Sequence, residues 1–326
     1  MKTILVPIDH TASAEHTLAF ANKLAVRWPA EVVVLFCAPA PAPGQPAPDL
    51  AAHELRLRSL VERLRYQQLT RQDGRRICYR YRVLAGCLHD HATAEAARCA
   101  ADLVVMGLEH IDCGRQEAPG NHAAAITALV RCPVLVVPPG RRPLPSRLAF
   151  VAEFDGLPLP TLPRLSALAG AFPAALVDLV QFYPPVARAR RRALQQALRR
   201  AAGQLAAWPV VATHLLEDDA PLEGSSEFCA RTQAQLLVLA PTSSAQLRRY
   251  FDACYTTTRA YHTQIPVLVL PLLQYQRPAS TECCDNCAAR LAQQSALTAA
   301  ADATEAVEDA HPAYTVRSHY QNVRWV

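Results

Sequence analysis

The segment best suited to chemistry is GLEHIDCGRQEAPGN, residues 107–121, which directly follows the apolar run ADLVVM. One glycine follows that run, and a later glycine precedes a helix-like pattern. Glycines in these two places allow backbone N–H groups and a helix start to surround a phosphate. The segment therefore predicts binding of a phosphorylated ligand, although His110 lies where such loops carry small residues.

Other polar side chains around this loop have two interpretations each. Asp9 follows the first apolar run, and open parallel sheets bind ligands at the carboxyl ends of their strands. Alternatively, Asp9 only caps the first helix together with Thr11 and Ser13. His110 and His122 could contact phosphate oxygens together, or they could be solvated loop residues.

These residues must be positioned by alternating strands and helices. Apolar runs of strand length alternate with amphipathic helical patterns, which requires crossover connections and predicts an α/β fold with a doubly wound, open parallel sheet. The strands are predicted at 3–8, 31–37, 77–84, 102–106 and 133–138. The helices are predicted up to Trp28 and at 50–73, 89–100 and 119–131.

The same order then recurs along the chain. Strands are predicted at 147–155, 174–182, 209–216, 234–240 and 266–271, and helices at 159–171, 185–207, 221–232 and 246–262. Gly107 precedes Pro133 by 26 residues, and Ala240 precedes Pro266 by 26. This internal repeat predicts two tandem domains, 1–140 and 146–272, followed by a tail, 273–326, that is partly helical or disordered.

Three motifs in the first repeat, ILVPID, ADLVVMG and CPVLVVP, resemble those of the universal stress protein family in order and separation. The resemblance covers residues 1–140 well and 146–272 more faintly, which implies a tandem member of the family. It implies the strand order 3-2-1-4-5 and an adenine-nucleotide site. The nucleotide-binding branch carries a glycine, two residues, a second glycine, nine residues, and a third glycine followed by Ser or Thr.

Laid on this chain, the family pattern is partly retained. Gly107 and Gly120 match its outer glycines, His110 replaces the middle glycine, and Asn121 replaces the hydroxyl residue while keeping a donor amide. Histidine adopts positive φ only at a cost in free energy, so we expect His110 to weaken the binding of ATP or AMP. Mg²⁺ could accompany the nucleotide. The resemblance also implies site positions at Pro7, Asp9, Cys37 and Gly86.

The second repeat lacks the nucleotide motif. Its matching positions are Ala240, Ser243, Ala253 and Cys254, so no glycine of the motif remains. Either Glu153 or Asp155 takes the position that Asp9 has in the first repeat. We expect no nucleotide there and a structural role for this repeat.

Composition narrows the class of protein. The chain has 326 residues, of which 51% are hydrophobic and 19% charged, with a formal net charge of +5. No apolar stretch approaches twenty residues, and the start of the chain has no signal-peptide pattern, so we expect a cytoplasmic protein without membrane contact. The basic run 188–200 overlies an apolar helical stripe, which favours a solvated helix face over nucleic-acid binding.

The tail contains a CxxC motif. Cys283, Cys284 and Cys287 are weak zinc candidates, and a complete site would need further ligands from His311 or His319. A redox pair is the alternative. We expect no zinc, because the spacing of the additional ligands is irregular.

The sequence predicts a regulatory protein whose first repeat binds an adenine nucleotide weakly. A scaffold or interaction protein of the same fold, without nucleotide, is the alternative. We expect no enzyme, or at most weak ATP hydrolysis, because the loop has no P-loop lysine. The protein partner is unknown, and the last strands, PVLVVP and PVLVLP, could pair in a homodimer or within one chain.

Overall fold

The computed structural model of the protein describes residues 1–9, 11–38, 46–69, 77–109, 121–172 and 176–271. The strands are β1 (Lys2–Pro7), β2 (Ala30–Ala38), β3 (Tyr79–Ala85), β4 (Leu103–Gly107), β5 (Val134–Val137), β6 (Arg147–Val151), β7 (Leu176–Tyr183), β8 (Val210–Glu217), β9 (Leu236–Leu239) and β10 (Val267–Val269). The helices are α1 (Ala12–Arg27), α2 (Leu50–Leu69), α3 (Leu88–Arg98), α4 (Asn121–Leu129), α5 (Thr161–Ala167), α6 (Arg191–Gly203), α7 (Pro221–Thr232), α8 (Ser244–Tyr250), α9 (Ala253–Thr257) and α10 (Tyr261–Gln264).

The strands form one sheet in the order β3-β2-β1-β4-β5-β10-β9-β6-β7-β8. Strands β1–β5 are mutually parallel, and their order confirms the predicted 3-2-1-4-5 arrangement. Strands β6–β10 are also mutually parallel and repeat that order. We call β1–β5 with their helices the first half and β6–β10 with theirs the second half; the predicted domain boundaries stay predictions.

The two halves meet at their last strands. β5 and β10 pair antiparallel, with Val134 opposite Val269, Leu135 opposite Leu268 and Val136 opposite Val267. All six side chains are buried. Because this pair is antiparallel while each half is parallel, the strands of the two halves run in opposite directions. The carboxyl ends of the first-half strands therefore lie on the same side of the sheet as the amino ends of the second-half strands.

Helices cover both faces of the sheet, as a doubly wound fold requires. One face packs against apolar residues of α1, α2, α5 and α6, and the other against those of α3, α4, α7 and α8. Successive strand residues point to opposite faces, so Ile4 and Val6 join one core and Leu5 joins the other. Among the described residues, no helix combines the length and apolarity needed to cross a membrane.

The helix predicted at 185–207 is interrupted. A 3₁₀ helix spans Pro185–Arg190, and α6 begins only at Arg191. Residues 185–190 include no buried side chain, and ion pairs of Arg188 and Arg190 hold this turn instead. The helical spacing predicts an apolar stripe of Val186, Ala193, Leu194, Ala197, Leu198 and Ala201. The last four are buried in α6, but Val186 and Ala193 are exposed.

The helix predicted at 246–262 is wrong as a single element, because it consists of three short helices. Asp252 starts a new helix by accepting a hydrogen bond from the Cys254 N–H at 2.8 Å. Arg259 then adopts φ +55°, which ends helical geometry before α10. Side-chain capping and a left-handed residue therefore divide a segment whose apolar pattern indicated one helix.

Helix α7 packs tightly against the end of β7 at Gly224. A Cβ atom at this buried glycine would lie 2.7 Å from Cε1 of Phe182 and 2.5 Å from Oδ2 of Asp218. Glycine within a helix ordinarily costs about 1 kcal/mol relative to alanine. Close approach of the neighbouring side chains thus requires glycine here despite that cost.

We expect Gly224→Ala to lower the free energy of unfolding by about 1–3 kcal/mol, because the added methyl overpacks this contact. The matched control is Gly203→Ala at the end of α6, where nothing lies within 4 Å of the added Cβ. Denaturant unfolding of both variants checks the expectation. Equal stability of the two variants would contradict it.

His262 is buried in the second half, where its Nε2 lies 3.2 Å from the carbonyl oxygen of Tyr250. Burial lowers the pKa of His262 below its usual 6.5, although that hydrogen bond and the nearby Glu223 act in the opposite direction. Nδ1 has no hydrogen-bond partner among the described residues. The folded protein therefore holds this imidazole neutral.

Because the unfolded chain binds the proton more readily, stability due to His262 is complete above about pH 6.5 and declines as the pH falls below that value. We expect His262→Gln to flatten the fall in the free energy of unfolding between about pH 7 and about pH 5. Urea titrations of the two proteins across that range measure it. An unchanged slope would assign the acid sensitivity to other groups.

Candidate functional site

The candidate site of the first half lies at the carboxyl ends of β1 and β4. These strands are neighbours, and the strand order reverses between them, since β2 follows β1 on one side while β4 lies on the other. Such a switch point is where open α/β sheets bind ligands. Pro7 is the last residue of β1 and is buried opposite Leu35.

Asp9 lies two residues beyond β1 and is 7% exposed. Its Oδ1 accepts a hydrogen bond from the Thr11 N–H at 2.9 Å and another from the Thr11 hydroxyl. The carboxylate thus holds the turn that precedes α1, whereas Thr11, the N-cap residue, makes no side-chain capping bond and Ser13 Oγ has no hydrogen-bond partner among the described residues. The two bonds to Thr11 also fix the position of Asp9 at the switch point, so holding this turn is compatible with binding a ligand.

Gly107 and Asn121 are the described ends of the candidate phosphate loop. Gly107 is still a strand residue, opposite Val137, and the following Leu108 N–H donates to the Val137 carbonyl at 2.9 Å. What Gly107 offers a ligand is its missing side chain, since its backbone remains extended. Asn121 is the first residue of α4. The Asn121 side chain, His110 and Gly120 lie outside the described residues.

The neighbouring strands complete this edge of the sheet. Cys37, the penultimate residue of β2, is buried opposite Leu84. Gly86 follows β3 with φ +127°, and its N–H donates to the Ala38 carbonyl at 2.9 Å. A side chain at Gly86 would be strained, and it would also meet the His91 ring at 2.9 Å. The glycine at position 86 therefore allows the chain to enter α3 directly from the end of β3 while bonding to the end of β2.

A pair of histidines links two helix starts beside this edge. Nε2 of His89 lies 2.9 Å from Nδ1 of His122, and His122 is 4% exposed. One nitrogen donates and the other accepts, so at least one ring is neutral while this bond exists. The prediction of a solvated His122 is wrong, because α3 packs over it. Sequence reasoning missed His89, although each histidine is the second residue of a helix that follows a parallel strand.

No cluster of His, Cys, Asp and Glu in the described part of the chain could hold a metal ion. The weak zinc candidates Cys283, Cys284 and Cys287, with His311 and His319, lie outside the described residues.

Hydrogen bonds align the second half with the first. The Ala152 N–H donates to the Val180 carbonyl as Ile8 does to Leu35, and Asp218 donates to Tyr183 as Gly86 does to Ala38. With the strand register, these bonds make Glu153 equivalent to Asp9, Phe182 to Cys37, Asp218 to Gly86 and Ala240 to Gly107.

This alignment distinguishes the two acidic candidates of the second half. Glu153 occupies the position of Asp9, whereas Asp155 is paired with Arg190 at 2.6 Å and accepts from the Gln181 amide at 2.9 Å. Ser243 and Ala253 start separate helices: Ser243 caps α8, and Ala253 is the first residue of α9. The segment that follows β9 thus contains the starts of two short helices.

We expect Asp9→Ala to lower the free energy of unfolding by about 1 kcal/mol, because the Thr11 N–H loses its acceptor. Asp9→Asn retains an acceptor oxygen, so it should cost clearly less. Thermal unfolding of the two variants measures the difference. Equal losses would show that the charge of Asp9, rather than its capping bond, stabilises the fold.

Comparisons with known proteins agree with this geometry. The model of the Universal stress protein family matches residues 1–138. A protein of unknown function from Pseudomonas aeruginosa PAO1 has a similar structure, with TM-score 0.56 and 16% identity over 83% of this chain and 93% of that one. A universal stress protein from Archaeoglobus fulgidus DSM 4304 gives TM-score 0.54 and 12% identity over 83% and 96%. Among curated proteins, none matches the chain.

At such identities the two solved structures establish the fold alone, and they do so over both halves of the sheet. The family match covers the first half, where Asp9, Gly107 and the start of α4 are located. Residues 1–138 therefore belong to the universal stress protein family, which confirms the resemblance indicated by their motifs.

Proposed function

We propose that the chain is a cytoplasmic regulatory protein of the universal stress type whose first half binds an adenine nucleotide, ATP or AMP, weakly. The observation that carries this proposal is the position of Asp9 and Gly107 at the ends of two neighbouring strands where the order reverses. An acidic acceptor suits the hydroxyl groups of a ribose, and a strand end without a side chain admits a phosphate.

Helix starts support binding of the phosphates. Helices α1, α3 and α4 each follow a strand of the first half, so their N-termini lie at the same edge of the sheet as Asp9. Free N–H groups and the positive end of the helix dipole favour anions there. The 2.9 Å His89–His122 pair adds a polar contact between the starts of α3 and α4.

The proposed affinity is low because His110 replaces the middle glycine of the family motif. A β-carbon at a position of positive φ costs on the order of 1–3 kcal/mol, which weakens binding without abolishing it. Mg²⁺ would accompany ATP without a dedicated protein site. We propose no turnover, because the segment 107–121 contains no lysine of the kind that P-loop enzymes use.

In this proposal the second half is a structural partner that binds no nucleotide. Pro241 lacks an N–H shortly after β9, and Asp218 adds a carboxylate at the position that Gly86 occupies in the first half. Occupancy of the first half would alter contacts with a protein partner. The scaffold alternative is favoured only if the first half binds no nucleotide.

The loop itself provides the sharpest test of nucleotide binding. We expect His110→Gly to bind ATP about tenfold more tightly than the natural chain, because relief of backbone strain is worth about 1.4 kcal/mol. Gly120→Trp should abolish binding by filling the start of α4. Isothermal titration and native mass spectrometry with ATP and AMP measure these affinities.

The matched control is Ala253→Trp, which places the same side chain at the exposed equivalent position of the second half. It should leave ATP affinity unchanged. Absence of binding by the natural chain and by His110→Gly at millimolar ATP would contradict nucleotide binding and support the scaffold alternative.

A further inference from the structure

The second half contains a cavity at the carboxyl ends of β6, β7, β8 and β9. Its volume is about 230 Å³. The side chains that decide its character are Glu153, Asp218, Asp219, Phe182 and Tyr250. We propose that this cavity binds a small organic cation, an ammonium group attached to a compact apolar or aromatic body.

The cavity occupies the place in the second half that the candidate nucleotide site occupies in the first. By strand register, Glu153, Phe182, Asp218 and Ala240 take the positions of Asp9, Cys37, Gly86 and Gly107, and all four line the cavity. Switch-point geometry for a ligand is thus retained while the residues have changed. The second half has Asp218 where the first has Gly86, and Phe182 where the first has Cys37.

The charge of the lining determines the charge of the ligand. Three carboxylates, Glu153, Asp218 and Asp219, border the cavity, whereas none of its described lining residues is Lys, Arg or His. Among the described residues, Glu153 and Asp219 form no ion pair, in contrast to Asp155 and Arg190 outside the cavity. Uncompensated negative charge attracts cations and repels phosphates.

The apolar lining at the bottom of the cavity indicates that the uncharged part of the ligand is apolar or aromatic. Val151, Leu239, Phe182 and Tyr250 supply apolar and aromatic surface. Tyr250 is 5% exposed, burial raises its pKa, and its hydroxyl has a long contact of 3.5 Å to Ser225 Oγ. The faces of aromatic rings attract organic ammonium groups through cation–π interactions. The volume is below the roughly 300–1,000 Å³ of sites for drug-sized ligands, which favours a compact molecule.

A metal ion fits this cavity less well than an organic cation. Although three carboxylates border the cavity, no group of three His, Cys, Asp or Glu side chains among the described residues could hold a metal ion. Asp218 is already held, because its Oδ1 accepts the Ala220 N–H at 2.8 Å and its Oδ2 packs against Gly224. A fixed carboxylate beside aromatic surface suits an organic ammonium group, for which charge and apolar contact matter more than coordination geometry.

The probe is tyramine, titrated into the full chain, beside uncharged para-ethylphenol and anionic para-hydroxyphenylacetate. We expect tyramine to bind about tenfold more tightly than para-ethylphenol, and the anion to bind most weakly. In the double variant Glu153→Gln, Asp218→Asn, tyramine should lose this advantage while para-ethylphenol is unaffected. Asn at 218 retains an acceptor for the Ala220 N–H, so the wall of the cavity is preserved.

The matched control is Glu227→Gln, which removes one exposed carboxylate from α7 outside the cavity and should leave tyramine binding unchanged. Equal binding of the three compounds, retention of the tyramine preference in the double variant, or no tyramine binding at millimolar concentration would overturn the proposal. Gly120→Trp should not affect tyramine, so failure of this proposal and failure of nucleotide binding are separate results.

Discussion

The antiparallel pair of β5 and β10 is the interaction on which the rest of the structure depends. Each of these strands is short, and each would be the edge of its own half if the other were absent. A strand edge carries unpaired N–H and C=O groups, which are costly among buried valines and leucines. Pairing satisfies those groups and makes both helical layers continuous across the junction, where α4 packs against α8 and α1 against the segment Ala169–Ala171. The parallel order within each half then extends outwards from this pair to the half-exposed strands β3 and β8.

The β5–β10 pair also determines where the two switch points lie relative to each other. Opposite strand directions place the switch point of the first half at one edge of the sheet and that of the second half at the other. β1 and β6 are separated by five strand spacings, or about 24 Å at about 4.8 Å for each. One switch point presents a bare strand end and three helix starts, which suit phosphate groups, beside an aspartate that suits hydroxyl groups. The other presents three carboxylates over aromatic side chains, which suit a cation.

Much of this architecture was predictable from the sequence because buried parallel strands form continuous apolar runs. EVVVLFC and ADLVVM give β2 and β4 nearly to the residue, and the repeated 26-residue spacing anticipates the matching order of the second half. Helix boundaries were harder, since the division at Asp252 depends on one side-chain hydrogen bond and that at Pro185–Arg190 on ion pairs with distant residues. At the site, Asp9 and Gly107 were identified by their place after strands. His89 was missed because its partner, His122, is brought to it only by the packing of α3 on α4.

Joining the two halves through β5 and β10 also has a consequence for symmetry. In a homodimer closed by the same strand, both copies would carry every substitution, so the two switch points would remain identical. Here one polypeptide encodes both, and their contact does not depend on protein concentration. Gly86 and its counterpart Asp218 show the result: equivalent positions have acquired different chemistry within a single sheet. If both proposed sites are occupied, their stoichiometry is thereby one anionic ligand to one cationic ligand for every chain that folds.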